Sequence, residues 1–362
     1  MPNFLSIYAG FLDYFSEISQ GNSLFYNACL NASVHYAQSS SSYALLLGNP
    51  ARLTARLARL AIASNRTNVL QAYLKTQNAV LDEEYYDSEA LSDAELAYLL
   101  DHVAMEGSLI VVRPEASSDT ALNLSVYQDV ETLLEKEDGQ KIQILSMSGV
   151  GSSAFGAAAL ARNVANAFDR PVVSVVAGYG VADVTKEALG GFYWYGAINR
   201  LEADIHRALT SGAPLLPLFQ AVLDLYQPAR TAIFAAGDSA QVRALLTSKG
   251  LQINLMVGHS KGNLVNAQAL FDLKGQNNHD YPALIDRKLH VITISAAVAM
   301  PDDVPYVYDI LGACDPLGAL NSTPGITINQ FVPAASHTTN RLLSDAIPVQ
   351  AVLQALSPGF YP

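Results

Sequence analysis

The sequence predicts an α/β fold in which a mostly parallel sheet is flanked by helices and preceded by a helical N-terminal region. Three observations favour this class. After residue 106, strand-like runs alternate with helix-like segments, the order expected of parallel strands joined by right-handed crossovers. The run PVVSVVA at 171–177 is largely apolar and β-branched, as in a strand buried on both faces. With 362 residues and half of them apolar, the chain has enough material for one large core and a smaller appended region.

Charge and cysteine content exclude several classes of protein. The net charge of −12 opposes the phosphate-neutralising surface that nucleic-acid binding requires, so we expect no nucleic-acid partner. Cys29 and Cys314 lie far apart and lack metal-ligand spacing, which predicts neither a zinc site nor a disulfide framework. The N-terminus lacks the basic region of a secretory signal, and no apolar run is long enough to span a bilayer. We therefore expect a soluble, cytoplasmic protein.

We predict that residues 1–106 form a helical N-terminal region. Within it, Leu53, Leu57 and Leu60 recur at helical spacing with arginines offset from them, which indicates an amphipathic helix. Two interpretations of its leucine face stay open at this stage. The leucines pack on a neighbouring element, or they contact a lipid surface.

The elements of the rest of the chain follow from local patterns. Short β-branched or alternating apolar runs indicate strands, and longer segments with apolar residues every three to four positions indicate helices. A capping-box spacing at 92–95 predicts a helix over 96–105. The predicted strands are 108–112, 122–127, 141–147, 171–177, 251–257, 290–295, 306–311 and 326–331. The predicted helices between them are 154–168, 241–248 and 261–273.

The pentapeptide Gly258-His259-Ser260-Lys261-Gly262 follows one of these strands and precedes a helix. A strand, Gly-x-Ser-x-Gly and a helix in this order are typical of a nucleophile elbow, a sharp turn that presents a reactive serine above a sheet. The two glycines remove side chains that would clash with the crowded backbone of such a turn. The sequence therefore predicts that Ser260 is a nucleophile rather than an ordinary polar loop residue. The amide of Lys261, at the helix N-terminus, is a predicted donor to an oxyanion.

A serine nucleophile needs a general base and an acid that orients the base. Around elbows of this kind the chain order is serine, acid, histidine. Asp315, on the loop after a predicted strand, is the favoured acid; the alternative is a structural role in the turn before the next proline. Asp302, Asp303 and Asp309 are weaker candidates, because they lie in an earlier loop or inside the strand. Of the seven histidines, only His337 follows the acid, so it is the predicted base.

The glycine-rich segment at 148–153 has two interpretations. Its glycines let backbone amides face a reacting carbonyl, so Val150 or Gly151 is the predicted second oxyanion donor, and the pattern does not choose between them. The same segment matches Gly-x-Gly-x-x-Ala between a strand and a helix, which is typical of dinucleotide binding. That interpretation is disfavoured, because no acid follows the next strand until Asp183 and because the motif lies after the third strand rather than the first.

From about residue 107 to the end, the chain resembles the α/β-hydrolase superfamily, and within it the lipase- and esterase-like serine hydrolases. The resemblance is carried by the glycine-rich loop after Met147, the strand and turn at 170–180, the Gly258–Gly262 elbow, Asp315 and His337. It implies an α/β-hydrolase domain over 107–362, a Ser-His-Asp triad, an acyl-enzyme intermediate and no metal or organic cofactor. One departure is visible, since the His-Gly pair frequent in the oxyanion loop of these enzymes is Ser148-Gly149 here.

A long insertion at about 180–230 lies where hydrolases of this family usually carry a cap. It contains four consecutive aromatic residues, Phe192, Tyr193, Trp194 and Tyr195. They belong either to an ordinary core helix or to a lid over an apolar acyl pocket. We predict them as substrate-binding residues on the second interpretation.

The combined interpretation is a serine hydrolase that cleaves carboxylic esters, and apolar acyl esters of small molecules or lipids in particular. An acyltransferase would use the same residues. A non-catalytic hydrolase-like binding scaffold is a further alternative, and a dinucleotide-binding protein is a remote one. Peripheral contact with a lipid surface through the N-terminal helices stays open, and the sequence indicates no oligomeric state.

Overall fold

The computed structural model describes residues 52–64, 78–102, 106–115, 122–149, 152–177, 237–275, 279–323 and 325–360. Several predictions from the sequence lie outside these residues. They concern the cap insertion at about 180–230, its aromatic run 192–195, and the two candidate oxyanion donors Val150 and Gly151.

The described residues contain one eight-stranded sheet. Its strands are β1 (Leu109–Val112), β2 (Leu124–Tyr127), β3 (Ile144–Met147), β4 (Val172–Val175), β5 (Leu255–His259), β6 (His290–Ile294), β7 (Tyr306–Gly312) and β8 (Gln330–Val332). Their spatial order is β2-β1-β4-β3-β5-β6-β7-β8. The strands from β3 to β8 run parallel, whereas β1 pairs antiparallel with both β2 and β4. The predicted α/β class with a mostly parallel sheet is confirmed.

Helices cover both faces of this sheet. Within the described ranges they are α1 (Arg52–Ala63), α2 (Asn78–Tyr85), α3 (Asp93–Asp101), α4 (Val130–Lys136), α5 (Ala154–Phe168), α6 (Gly237–Thr247), α7 (Lys261–Gly275), α8 (Asp280–Asp286), α9 (Pro316–Asn321) and α10 (Val349–Phe360). The bounds of α5 match the prediction from the sequence. Four helices, α4, α8, α9 and α10, have no counterpart in that prediction. Among the described helices, none combines the length and apolar character needed to cross a membrane.

Successive residues of β1 point into two separate cores, because side chains alternate across a pleated strand. Ile110 and Val112 of β1 face the first core, which is built with α1, α3, α5 and α10. Leu109 and Val111 face the second, which is built with α4, α6, α7 and α8. All four of these side chains are fully buried. A strand with apolar residues on both faces is therefore sandwiched between two helical layers, as its sequence predicts.

The start of β5 differs from the prediction. The sequence indicates a strand over 251–257, but β5 begins at Leu255. Leu251 and Ile253 are only 1% exposed and pack in the second core before the chain joins the sheet. The amides of Asn254 and Leu255 both donate to the Gln143 carbonyl, so hydrogen bonding to the segment that leads into β3 starts only at Asn254. The apolar pattern reports burial correctly, but burial here begins before pairing does.

The last strand is also shorter and later than predicted. The sequence indicates a strand over 326–331, whereas β8 spans Gln330–Val332. Just before it, the Asn329 side-chain carbonyl accepts from the Asp309 amide, and the Asn329 amide donates to the Asp309 carbonyl. A side chain thus replaces one backbone partner at this point, which delays regular pairing with β7.

The described N-terminal helices pack in the first core. Leu53 and Leu57 of α1 are fully buried in the same core as Ile110 of the sheet and Phe155 of α5, while Leu60 packs at its edge. Leu53 and Leu57 therefore pack inside the protein, in agreement with the first interpretation of this face. Lipid contact through other N-terminal residues stays a prediction.

The predicted capping box is present, but it begins its helix earlier than expected. The Ser92 hydroxyl accepts from the Glu95 amide, and the Glu95 carboxylate accepts from the Ser92 amide. Since Ser92 is the N-cap, α3 starts at Asp93 instead of 96. It ends at Asp101, ahead of the predicted end at 105.

Candidate active site

A sharp turn joins β5 to α7, and Ser260 is the residue that makes it. Its backbone has φ 54°, a left-handed conformation that costs free energy for a residue with a side chain. The turn is held by two hydrogen bonds, from the Ser260 amide to the Ile294 carbonyl of β6 and from the Asn263 amide to the Ser260 carbonyl. This is the geometry that the Gly-x-Ser-x-Gly pattern predicts. The strain at Ser260 is maintained because both neighbouring elements are fixed in the core.

The two glycines of the motif permit close approaches of the backbone. A Cβ on Gly258 would lie 2.2 Å from Asn263 Oδ1 and 2.9 Å from the Asn263 amide nitrogen. A Cβ on Gly262 would lie 2.2 Å from the Met147 carbonyl oxygen at the end of β3. The first glycine therefore makes room for the turn itself. The second lets the start of α7 pack against the neighbouring strand.

The structure brings Ser260, His337 and Asp315 into one hydrogen-bonded chain. His337 Nε2 lies 2.9 Å from Ser260 Oγ, and His337 Nδ1 lies 2.9 Å from both carboxylate oxygens of Asp315. Because a carboxylate only accepts, Nδ1 carries the proton and Nε2 is left to accept from the serine hydroxyl. Asp315 is fully buried and Ser260 is 6% exposed. This chain can remove a proton from Ser260 while the histidine is held in one tautomer.

Asp315 is positioned by the end of β7 and the start of α9. It is the N-cap of α9, and its Oδ1 accepts from the Gly318 amide at 2.7 Å. A Cβ on Gly312, at the end of β7, would lie 2.4 Å from the Ala335 carbonyl oxygen. Glycine there lets the strand pass close to the segment that carries His337.

The competing acids have other surroundings. Asp309 is buried within β7 and accepts from the Thr293 hydroxyl of β6, and burial raises the pKa of its carboxyl to about 6. Asp303 accepts from Lys274 and from the Tyr281 hydroxyl. Asp302, beside it in the same loop, is exposed. The choice of Asp315 from its place after a strand agrees with the geometry.

The residues after His337 anchor its loop to α2, a contact that the sequence did not reveal. The carbonyls at the C-terminal end of a helix lack partners within it. Here the Thr338 hydroxyl donates to the Glu84 carbonyl, Thr339 donates its amide and hydroxyl to the Tyr85 carbonyl, and the Asn340 side-chain amide donates to the Glu83 carbonyl. These partners lie 254 to 257 residues apart in the chain, so no local pattern reveals them.

The glycine-rich loop passes directly beside Ser260. A Cβ on Gly149 would lie 3.1 Å from Ser260 Cβ and 3.1 Å from the Tyr86 hydroxyl oxygen. The Gly149 amide donates to that hydroxyl at 2.6 Å. Lys261 is the first residue of α7, so its backbone lies at the N-terminal end of this helix. The oxyanion roles of Lys261, Val150 and Gly151 stay predictions.

A buried carboxylate occupies the end of this loop. Asp82 of α2 is fully buried and accepts from the amide of Ser153 at 3.0 Å and from its hydroxyl. Ser153 is the N-cap of α5, so the carboxylate lies at the positive end of that helix. The dinucleotide interpretation would place a pyrophosphate at this same helix end. Because Asp82 already fills the position, the structure disfavours that alternative.

His259, the second residue of the motif, is buried between the glycine-rich loop and the loop that carries His337. Its Nε2 lies 3.0 Å from the His337 carbonyl oxygen, and its Nδ1 lies 3.1 Å from the Tyr86 hydroxyl oxygen. Burial, reinforced by the nearby His337, lowers the pKa of His259 to about 3, so its ring is neutral near neutral pH. The sequence pattern places His259 only in the elbow, and no local pattern indicates Tyr86.

The sheet and this turn together define the fold. A mostly parallel sheet covered by helices on both faces, with a strained serine between a central strand and the following helix, is an α/β-hydrolase fold. The resemblance inferred from the sequence is therefore confirmed at the level of the fold.

Comparisons with known proteins give distant similarities only. No protein-family model and no curated protein matches the sequence. Among solved structures, the chain is similar to a hyperthermophilic esterase from the archaeon Pyrobaculum calidifontis, with a TM-score of 0.35, 12% identity and coverage of 62% of this chain and 76% of that one. It is also similar to EstE7, an HSL-homolog from a metagenome library, with a TM-score of 0.32, 11% identity and coverage of 61% and 78%. The fold assignment rests on the mostly parallel sheet with helices on both faces and on the elbow.

Proposed function

We propose that this protein is a serine hydrolase that cleaves carboxylic esters. The observation that carries the proposal is the hydrogen-bonded chain from Ser260 through His337 to the buried Asp315. A serine, a histidine and a carboxylate arranged in this way are the machinery of acyl transfer on several unrelated folds. The strained backbone of Ser260 adds support, because such strain concentrates at functional residues.

The proposed reaction begins when Ser260 Oγ attacks the carbonyl carbon of the ester and His337 Nε2 takes the proton from the serine hydroxyl. Asp315 keeps the proton on Nδ1 and stabilises the imidazolium that forms. The amides of Lys261 and of Val150 or Gly151 stabilise the negative charge on the carbonyl oxygen. His337 then gives its proton to the departing alcohol, and a water molecule, activated by the same histidine, releases the acid from Ser260. On this scheme neither a metal nor an organic cofactor takes part.

The substrate class within this proposal is an apolar acyl ester. It rests on the aromatic run of the predicted cap, Phe192, Tyr193, Trp194 and Tyr195. Aromatic side chains over an acyl pocket favour long apolar chains, because they bury apolar surface. Rates on p-nitrophenyl esters of increasing chain length test this class directly. A preference for acetyl over longer acyl esters would contradict it.

The nucleophile is tested with a fluorophosphonate probe. We expect the wild type to be labelled and Ser260→Ala to stay unlabelled, because the probe reacts only with an activated serine. The matched pair Asp315→Asn and Asp309→Asn tests the acid. Loss of the correct tautomer costs on the order of ten thousandfold in kcat for the first variant, while the second keeps the wild-type rate.

Each outcome has a clear meaning. Labelling that survives Ser260→Ala contradicts the assigned nucleophile. An unlabelled wild type with no esterase activity favours a non-catalytic scaffold. Transfer of the acyl group to an added alcohol in preference to water identifies an acyltransferase.

A further inference from the structure

An internal hydrogen-bonded chain connects the glycine-rich loop to the loop of the base. It runs from the Gly149 amide to the Tyr86 hydroxyl at 2.6 Å, from this hydroxyl to His259 Nδ1 at 3.1 Å, and from His259 Nε2 to the His337 carbonyl oxygen at 3.0 Å. Tyr86 and His259 are 2% and 1% exposed, so water does not compete for these groups.

The direction of every bond in this chain is fixed by chemistry. The His337 carbonyl can only accept, so His259 Nε2 carries a proton and donates. A neutral imidazole has one such proton, which leaves Nδ1 to accept the proton of the Tyr86 hydroxyl. The Tyr86 oxygen is then free to accept from the Gly149 amide, which can only donate. All four groups are satisfied in one consistent arrangement.

The two ends of this hydrogen-bonded chain lie at two loops that the proposed reaction uses, the glycine-rich loop and the loop that carries His337. Gly149 immediately precedes Val150 and Gly151, the candidate oxyanion donors, and its ideal Cβ position is 3.1 Å from Ser260 Cβ. The other end is the backbone of His337, whose ring contacts the serine hydroxyl. His259 itself adjoins Ser260 in the chain. These hydrogen bonds therefore connect both loops to His259, the residue that precedes Ser260.

We propose that Tyr86 and His259 are positioning residues. They hold the glycine-rich loop and the loop that carries His337 at the correct distances from Ser260. This inference rests on the proposed function and adds two residues that do not touch the reacting atoms. It also gives the N-terminal region a role, because Tyr86 follows α2 directly and α2 holds residues 338–340 through its terminal carbonyls.

Close packing around Tyr86 supports a positioning role. A Cβ on Gly156 of α5 would lie 2.7 Å from Tyr86 Cδ2 and 2.3 Å from Asp82 Oδ1. Glycine at this position lets the end of α2 approach α5 and reach the site. Burial raises the pKa of the Tyr86 hydroxyl, and the pKa of His259 is lowered to about 3. Both residues therefore keep the protonation states that the chain needs at neutral pH.

The first test removes one hydroxyl group. Tyr86→Phe leaves the ring in place but deprives the Gly149 amide and His259 Nδ1 of their partner. We expect kcat to fall by about tenfold to a hundredfold, since a displacement of about 1 Å in a reacting group costs on the order of a hundredfold. KM should change much less, because no substrate contact is removed. Tyr281→Phe is the matched control, since Tyr281 of α8 packs in the second core and its hydroxyl donates to Asp303.

The second test compares two replacements of the histidine. His259→Gln keeps a side-chain amide that can donate to the His337 carbonyl, whereas His259→Leu keeps similar bulk without any polar atom. We expect the glutamine variant to retain several times more kcat than the leucine variant. Tyr86→Phe should lower kcat less in the His259→Leu background than in the wild type, because His259→Leu has already broken the series of hydrogen bonds. If Tyr86→Phe fails to fold, the comparison of His259→Gln with His259→Leu still tests the inference.

The outcomes separate this inference from the proposed function. If the wild type is labelled by fluorophosphonate at Ser260 but Tyr86→Phe has the kcat of Tyr281→Phe, only the inference is overturned. Equal loss in His259→Gln and His259→Leu would also overturn it. So would nitrogen-15 spectra that place the His259 proton on Nδ1. If the wild type is not labelled at all, the proposed function fails first, and the inference fails with it.

Discussion

Ser260 shows how a few residues can make a local sequence pattern decisive. Its backbone is strained, and the two glycines of the motif relieve the contacts that a side chain would create at 2.2 Å on either side. A motif with such strict steric requirements leaves little freedom of conformation. The position of the serine could therefore be predicted without any knowledge of the remaining fold.

At the residue scale, two buried groups give the stability opposite dependences on pH. Burial lowers the pKa of His259 from 6.5 to about 3, so between these values only the unfolded chain binds the proton. The free energy of unfolding then rises with pH, by up to about 1.4 kcal/mol per pH unit from this group. Burial raises the pKa of Asp309 from 3.8 to about 6, so only the folded chain holds the proton there. Its contribution falls as the pH rises through that window.

We expect single substitutions to separate these opposed effects. Asp309→Asn should make the free energy of unfolding rise more steeply between about pH 4 and 6 than in the wild type, because the falling contribution is removed. His259→Gln should make it rise less steeply or fall over the same range. Urea unfolding across this range provides the measurement. Parallel stability curves for all three proteins would contradict the assignment of the two buried groups.

At the scale of elements, α7 is placed by its contact with β3. The ideal Cβ position of Gly262 lies 2.2 Å from the Met147 carbonyl oxygen and 2.8 Å from the Ser148 carbonyl oxygen, both of which are backbone atoms. A side chain at 262 would therefore push the helix away from the sheet and move the Lys261 amide with it.

We expect Gly262→Ala to lower the free energy of unfolding by about 1–3 kcal/mol, because overpacking forces backbone shifts. It should also reduce esterase activity. Gly275→Ala, at the opposite end of α7, is the matched control, since its Cβ would meet no atom within 4 Å. Urea unfolding of both variants measures the difference. A similar effect of the two alanines would show that close packing at 262 is not the cause.

At the scale of the whole molecule, a buried ion pair joins α3 of the N-terminal region to α5, a helix that packs on the sheet. Arg162 of α5 contacts Glu95 of α3, and their side chains are 2% and 1% exposed. The Glu95 carboxylate also accepts from the Asn123 amide, just before β2. One carboxylate thus links three parts of the chain.

We expect Glu95→Gln to lower the free energy of unfolding by about 3–5 kcal/mol, because the Arg162 guanidinium is left buried without its counter-charge. The control is Asp93→Asn, which breaks the ion pair between Arg56 and a largely exposed Asp93 in the same region. That change should cost about 1 kcal/mol or less. Chemical unfolding provides the measurement, and equal losses would contradict a special role for the buried pair.

The sequence by itself determined the fold class, most strands and several of the helices. It also selected Ser260, Asp315 and His337 as the candidate triad, whose catalytic roles stay predictions. Each of these depends on features that are local in the chain: apolar periodicity, the sterics of a tight turn, and the position of a residue just after a strand. Element boundaries such as the start of β5 were less well predicted, because burial and ladder pairing do not begin at the same residue.

Only the tertiary structure decided which buried polar groups meet. Tyr86 reaches His259 across 173 residues, and Thr339 reaches Tyr85 across 254. A tyrosine or a threonine has no sequence signature for such a partner, since the contact depends on how α2 packs against α5 and the loop that carries His337. Local patterns specify which residues are buried and where the chain turns. The pairing of distant polar groups is fixed only when the core has closed around them.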